Sequence, residues 1–116
     1  MKKGTIVLAP FPFTDLTTIK RRPAIIVSSS TKRNNDVIVA FISSKLKSTF
    51  NSTDFLLETK HPDFSLTGLK RTSVFKMDKL VTIEQSIIIG EIGKVSETIL
   101  KELNSKLKIA LDLNDE

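Results

Sequence analysis

The chain has 116 residues, with 18 lysine and arginine residues against 13 acidic ones, a single histidine, and no cysteine, tryptophan or tyrosine. This length fits one domain spanning residues 1–116. The absence of cysteine excludes disulfides, thiol nucleophiles and thiolate zinc sites, and the single histidine excludes catalysis by a histidine pair. We therefore expect carboxylates, hydroxyl groups, lysine and arginine to carry any chemistry, with no metal and no cofactor.

The net charge of +5 is distributed unevenly along the chain. Residues 1–48 contain nine basic and two acidic residues, whereas residues 49–116 contain nine basic and eleven acidic residues. A basic segment of this kind indicates a polyanionic partner such as nucleic acid or an anionic membrane surface, although basic loops are often only solvated. The apolar stretch after Lys3 is too short for a signal peptide, and no apolar run approaches the roughly 20 residues of a membrane span. We expect a cytoplasmic protein that does not enter a membrane.

Short apolar runs rich in β-branched residues predict six β-strands. The runs cover residues 5–9, 23–27, 37–42, 55–57, 73–77 and 87–92, and polar segments separate them. Six short strands within about 90 residues indicate a small, strongly bent sheet or barrel.

The last segment has the pattern of an amphipathic helix over about residues 96–112. Ser96 supplies an N-cap hydroxyl and Glu97 a carboxylate in the first turn. Apolar residues then recur at helical spacing: Ile99, Leu100, Leu103, Leu107, Ala110 and Leu111. This face can pack either on the protein's own sheet or on a partner subunit.

Three cations, Lys20, Arg21 and Arg22, stand directly before Pro23 at the start of the second predicted strand. Proline restricts the residue before it to extended geometry, so the side chain of Arg22 leaves the backbone in a defined direction. An arginine held in this way is suited to bidentate binding of a phosphate. The alternative is a solvated basic turn.

Ser43, Ser44 and Lys45 follow the most apolar predicted strand. Hydroxyl groups in this position can donate to an oxygen that gains negative charge during a reaction, and Lys45 and Lys47 add positive charge beside them. The alternative is that these serines satisfy local backbone groups. The Pro-Phe-Pro-Phe segment that begins at Pro10 places aromatic rings beside the basic loop, where they can stack on unpaired bases or close the core. His61 is predicted to be a surface residue in a loop.

Taken in order, these segments resemble the MazF/PemK family of type II toxin–antitoxin ribonucleases. The similarity includes Gly-Thr-Ile-Val-Leu from Gly4, Pro-Phe-Pro-Phe-Thr-Asp-Leu from Pro10, Lys-Arg-Arg-Pro-Ala-Ile-Ile-Val from Lys20, Val-Ile-Val-Ala-Phe-Ile-Ser from Val37 and Thr-Gly-Leu-Lys-Arg-Thr-Ser-Val from Thr67. The resemblance implies a mainly β fold, an SH3-like β-barrel with a C-terminal amphipathic helix. It also implies a homodimer, motif-selective and metal-independent cleavage of single-stranded RNA, and neutralisation by a cognate antitoxin with an acidic disordered segment.

By this resemblance, Arg22 matches the family's catalytic arginine and Ser43 its catalytic hydroxyl. The family usually has threonine at the second position; serine keeps the donor but lacks the β-methyl that restricts χ1. Some members have an acidic residue in the loop before the arginine, and the nearest one here is Asp15. The implied reaction is attack of a ribose 2′-hydroxyl on the adjacent phosphate, giving a cyclic phosphate and a 5′-hydroxyl. We expect Arg22 to act as an electrostatic clamp and candidate proton donor, and Ser43 to donate to a non-bridging oxygen.

Further residues are candidates for RNA contacts, namely Phe13, Thr14, Asp15, Lys20, Arg21, Ser44, Lys45, Lys70 and Arg71. Two other functions stay open at this point. One is a non-catalytic module of the same fold whose basic loops bind antitoxin, nucleic acid or another protein. The other is a gyrase-directed toxin on a related barrel, but the resemblance there includes a C-terminal tryptophan motif and this chain has no tryptophan.

Overall fold

The computed structural model describes residues 1–11, 20–28 and 35–113. The strands are β1 (Thr5–Pro10), β2 (Arg21–Ile26), β3 (Asp36–Ser43), β4 (Asp54–Leu57), β5 (Ser73–Glu84) and β6 (Gly90–Lys94), and the helix α1 covers Glu97–Leu111. Two short 3-10 turns, Phe64–Thr67 and Gln85–Ile87, precede β5 and β6 respectively. No helix in the described ranges combines the length and the apolar character that crossing a membrane requires.

The six strands form one antiparallel sheet in the order β4-β5-β3-β2-β1-β6. The register between β1 and β6 shifts between Ile6 and Val7, and the register between β3 and β5 shifts between Ala40 and Ile42. Irregularities of this kind bend a sheet and increase its twist. The sheet curls into a half-barrel, which confirms the predicted SH3-like, mainly β fold with a C-terminal helix. That residues 1–116 form a single domain stays a prediction.

Buried apolar side chains lie on both faces of the sheet, because neighbouring strand residues alternate between the faces. On one face, Ile6, Ile25 and Phe75 pack with Ile99 and Leu103 of α1. This arrangement shows that the helix packs on the protein's own sheet. The cluster on the other face contains Val7, Ala9, Ala24, Ile26, Val37, Val39, Phe41 and Ile83.

The helix begins and ends close to its predicted limits. The hydroxyl of Ser96 accepts a hydrogen bond from the backbone N–H of Ile99 at 3.3 Å, which satisfies one of the free donors of the first turn. At the other end, Asp112 adopts the left-handed conformation at φ 54°. The prediction of an amphipathic helix over about residues 96–112 is confirmed.

Two strands differ from the sequence-based prediction. The fifth continues from Ser73 to Glu84 rather than ending at residue 77, because the polar pair Asp78 and Lys79 lies where β5 bulges against β3 and pairing resumes beyond it. The sixth lies at Gly90–Lys94 rather than at residues 87–92. The apolar run starts too early for the strand, because residues 85–87 form a 3-10 turn before pairing with β1 is established.

Candidate active site

The side chain of Arg22, near the start of β2, lies against Phe11, the residue that follows β1. Its guanidinium carbon lies 5.0 Å from the centroid of the Phe11 ring. Phe11 in turn meets Phe41 edge-on, with the ring centroids 5.2 Å apart. The backbone N–H of Phe11 donates to the carbonyl of Lys20 at 2.7 Å, which ties the end of β1 to the residue before β2. Because a cation is attracted to the face of an aromatic ring, Phe11 fixes the direction of the Arg22 side chain.

Ser43 lies on β3, the strand next to the one that contains Arg22. Strands β2 and β3 are antiparallel, with Ala24 opposite Phe41. Continuing this register by two residues brings Arg22 opposite Ser43, and both side chains line one pocket. Opposite positions on antiparallel strands are close neighbours, so the fold brings the predicted cation and the predicted hydroxyl together.

The hydroxyl oxygen of Ser43 accepts a hydrogen bond from the backbone N–H of Lys45 at 3.1 Å. A strand-end serine therefore does satisfy a local backbone group here, as the alternative interpretation held. The same bond orients the hydroxyl. Because a hydroxyl that accepts keeps its own proton, Ser43 is able to donate to a ligand in the pocket at the same time.

The pocket that contains both residues, the Arg22 pocket, has a volume of about 210 Å³. It combines five cationic side chains with two aromatic rings and one hydroxyl. Its lining residues are Phe11, Arg22, Phe41, Ile42, Ser43, Lys45, Lys47, Lys76 and Lys79. A concentration of positive charge at an open pocket with apolar walls favours anionic ligands.

A second pocket of about 400 Å³, the Lys70 pocket, adjoins the first, because Arg22 and Ile42 line both. We call the lining residues of the two pockets together the basic track. The lining residues of the Lys70 pocket are Leu8, Arg21, Arg22, Pro23, Ile42, Ser44, Gly68, Lys70, Arg71, Ser73 and Ile92.

The structure places most of the predicted site residues on this track. Arg22, Ser43 and Lys45 line the Arg22 pocket, and Arg21, Ser44, Lys70 and Arg71 line the Lys70 pocket. Lys20 is exposed and lines neither pocket. Phe13, Thr14 and Asp15 lie outside the described residues.

Sequence reasoning missed Lys76, Lys79 and Phe41. A signal existed for Lys76, since it is the charged residue within the apolar run at residues 73–77. Lys79 and Phe41 carry no comparable signal, because only the curvature of the sheet brings them to Arg22. His61 lies apart from both pockets, where its Nδ1 accepts from the backbone N–H of Asp63 at 3.0 Å. Within the described part of the chain, no group of His, Asp and Glu side chains is arranged to hold a metal ion.

The curled antiparallel sheet defines a small β-barrel type of protein, and its basic, aromatic-lined surface favours anionic ligands. The chain belongs to the family of PemK-like, MazF-like toxins of type II toxin–antitoxin systems, whose model matches residues 2–111. Comparison with curated protein sequences finds no significant match.

Solved structures of toxins from two bacterial genera have a similar fold. An endoribonuclease from a mycobacterial species, solved in complex with its cognate antitoxin, is 18% identical and superposes with a TM-score of 0.77 over 100% of this chain and 99% of that one. The Mycobacterium tuberculosis toxin MazF-mt6 is 21% identical, with a TM-score of 0.73 over 95% of this chain and 98% of that one. A MazE–MazF structure from Deinococcus radiodurans is 18% identical, with a TM-score of 0.74 over 98% of both chains. At these identities the likeness concerns the fold.

Proposed function

We propose that this toxin is a metal-independent, motif-selective endoribonuclease that cleaves single-stranded RNA at the Arg22 pocket. The observation that carries the proposal is the meeting of Arg22 and Ser43 at one pocket whose other charged side chains are all lysines. Membership of the toxin family and the likeness in fold to proteins described as endoribonucleases support it. A phosphodiester is the anion that such a set of donors fits.

In the proposed reaction, the 2′-oxygen of a ribose forms a bond to its own 3′-phosphorus while the bond from phosphorus to the 5′-oxygen of the next nucleotide breaks. The phosphorus gains a fifth oxygen in the transition state, and negative charge builds up on its non-bridging oxygens. Arg22 neutralises this charge with paired N–H donors, and Ser43 donates a hydrogen bond to one of the same oxygens. The proton of the 2′-hydroxyl passes to water, and the departing 5′-oxygen takes up a proton, for which Arg22 is the candidate donor. Arg22 is then reprotonated from solvent. The products are a 2′,3′-cyclic phosphate and a 5′-hydroxyl.

The basic track suits an RNA strand that passes through the site. Arg21, Lys70 and Arg71 line the Lys70 pocket, and we expect them to contact phosphates on one side of the scissile bond. Lys45 lines the Arg22 pocket, and we expect it to contact phosphates on the other side. A single strand is the favoured substrate because its backbone can bend into the pockets and present its bases to the surrounding loops.

The same track is the proposed binding surface for a cognate antitoxin. Solved structures of similar fold contain an antitoxin bound to the toxin. An acidic, disordered segment that folds on binding would neutralise the lysines and arginines of the track and exclude RNA. We further propose that the toxin acts as a homodimer in the cytoplasm, with no cofactor.

The test is incubation of the purified protein with a long single-stranded RNA in EDTA, followed by analysis of the fragment ends. The proposal predicts cleavage that EDTA does not reduce, at a recurring sequence motif, with cyclic phosphate and 5′-hydroxyl ends. Arg22→Ala protein serves as the control for contaminating nucleases. Intact RNA after incubation with folded wild-type dimer would contradict the proposal and favour a non-catalytic binding module.

A further inference from the structure

Lys76 differs from the other lysines of the Arg22 pocket in having a buried partner. Its Nζ lies 3.6 Å from Oδ2 of Asp54, and the two side chains are 15% and 2% exposed. The two residues are directly opposite each other on β5 and β4. By contrast, Lys45, Lys47 and Lys79 are exposed. The Arg22 pocket therefore contains one lysine, Lys76, whose ammonium group is held by a buried carboxylate.

Asp54 is itself fixed by the backbone. Its Oδ2 also accepts a hydrogen bond from the N–H of Asn51 at 2.9 Å. Its Oδ1 is buried and has no hydrogen-bond partner among the described residues. Burying a carboxylate with one unsatisfied oxygen costs desolvation free energy. Well-packed apolar residues in place of such an ion pair often give equal or greater stability. The pair therefore has a better explanation in what Lys76 does at the pocket than in the stability of the fold.

We infer that Lys76 binds a backbone phosphate of the RNA strand inside the Arg22 pocket, and that Asp54 is a positioning residue that holds the Lys76 ammonium group there. This inference rests on the proposed function and adds a specific contact to it. An ammonium group has several N–H donors, so one directed at Asp54 leaves others for the pocket. A free lysine loses much side-chain freedom when it binds a phosphate, whereas Lys76 is already ordered before RNA arrives.

The decisive variant is the double substitution Asp54→Asn/Lys76→Met, because it keeps the net charge of the protein. If Lys76 acted only through the overall field, this variant would bind RNA as the wild type does. Removing both partners also avoids leaving one charge buried alone, which favours a folded protein. The matched control is Glu58→Gln/Lys60→Met, which removes an exposed ion pair with Nζ and Oε2 3.9 Å apart, outside both pockets.

The measurement is the affinity for a 2′-O-methylated RNA that contains the cleavage motif, together with kcat and KM on the unmodified RNA. The double variant is expected to raise Kd and KM about tenfold or more, as for loss of a hydrogen bond to a charged group, with little change in kcat. The slope of log K against log[salt] should become smaller by about 0.7, the amount for one phosphate contact on a single strand. The control variant should retain the wild-type values.

Two single variants separate the role of the Lys76 charge from the role of Asp54 in positioning it. Lys76→Arg keeps the cation and is expected to stay close to wild-type affinity. Asp54→Asn keeps the ammonium but releases it, so Kd should rise while the salt slope stays as in the wild type. If the double variant does not fold, Asp54→Asn/Lys76→Gln, which also keeps the net charge and leaves no buried charge unpaired, provides the same comparison of affinity and slope.

Unchanged Kd and slope in the double variant, or a loss confined to kcat, would overturn the assignment of Lys76. These outcomes are distinguishable from failure of the proposed function, because that failure would appear earlier, as an absence of cleavage by the wild-type protein.

Discussion

The guanidinium of Arg22 lies over the ring of Phe11, 5.0 Å from its centroid. Phe11 is the first residue after β1, and Arg22 is the second residue of β2, so two strand ends combine to fix one side chain. Phe11 also packs edge-on against the buried Phe41, which anchors the ring in the core. The position of the proposed catalytic arginine is therefore set by the packing of the sheet, through one aromatic residue that touches both.

Replacing Phe11 tests this positioning. Phe11→Leu keeps an apolar side chain but removes the ring face, so Arg22 loses its cation–π contact. We expect the cleavage rate to fall about tenfold, from the loss of roughly 1–2 kcal/mol of interaction. Phe11→Tyr, which keeps the ring, should retain most of the activity. Single-turnover rates of the two proteins, measured with their melting temperatures, separate the effect on Arg22 from an effect on folding. Equal cleavage rates for both variants would contradict the positioning of Arg22 by the Phe11 ring.

The hydroxyl of Ser43 is the second group to test. Ser43→Ala should lower kcat by a factor on the order of 10²–10³, as expected when one donor to a charged transition state is removed. Ser43→Thr keeps the hydroxyl and restricts its rotamers, so its kcat should equal or exceed the wild-type value. Ser52→Ala, an exposed serine in the same loop region, is the control. An active Ser43→Ala protein would mean that the hydroxyl serves only its bond to Lys45.

The cations of the Lys70 pocket are expected to bind phosphate without taking part in bond breaking. Lys70→Gln and Arg71→Gln should each raise KM while leaving kcat nearly unchanged. If the wild type neutralises about four phosphates, its salt slope is near −3, and each variant should reduce the slope by about 0.7. Lys94→Gln, at the end of β6 and outside both pockets, is the control. Titration of RNA binding at several salt concentrations measures all of these slopes, and a flat dependence in the wild type would speak against an RNA track.

Much of the fold follows from local sequence patterns, and the exceptions have a structural cause. The strands that begin near Thr5 and Val37 and the helix capped by Ser96 are where alternation, β-branching and capping indicate them. Strand β5 continues past its apolar run because the polar pair Asp78 and Lys79 lies in a bulge of β5, after which pairing with β3 resumes. A bulge depends on the partner strand. Periodicity within one segment contains no information about such a partner.

The residues of the candidate site also fall into two groups, those that the sequence predicts and those that it does not. Arg22 and Ser43 could be predicted because proline and a strand end restrict their geometry locally. Lys79 and Phe41 could not be assigned, since their nearness to Arg22 depends on how the sheet curls and on which strands pair. The ion pair of Lys76 with Asp54 joins two strands whose register is known only from the structure.

Two glycines of β6, one closely packed and one in open space, provide a test of the fold itself. A Cβ on Gly93 would lie 2.3 Å from the backbone carbon of Thr67, whereas one on Gly90 would meet nothing within 4 Å. We expect Gly93→Ala to lower the free energy of unfolding by about 1–3 kcal/mol, because backbone must move to admit the methyl group. Gly90→Ala, in the same strand, should stay close to the wild type. Urea denaturation of the two variants makes the comparison, and equal stabilities would contradict the packing of β6 on the 3-10 turn at Phe64–Thr67.

The most direct test of the account compares Arg22→Ala with Arg21→Ala in RNA cleavage under single-turnover conditions. The two residues are adjacent in sequence and carry the same charge, but Arg22 lines both pockets and Arg21 lines only the Lys70 pocket. We predict that Arg22→Ala nearly abolishes the cleavage rate at saturating protein, while Arg21→Ala weakens binding and retains most of that rate. Full activity in Arg22→Ala protein, or equal losses in the two variants, would contradict the assignment of Arg22 as the catalytic residue.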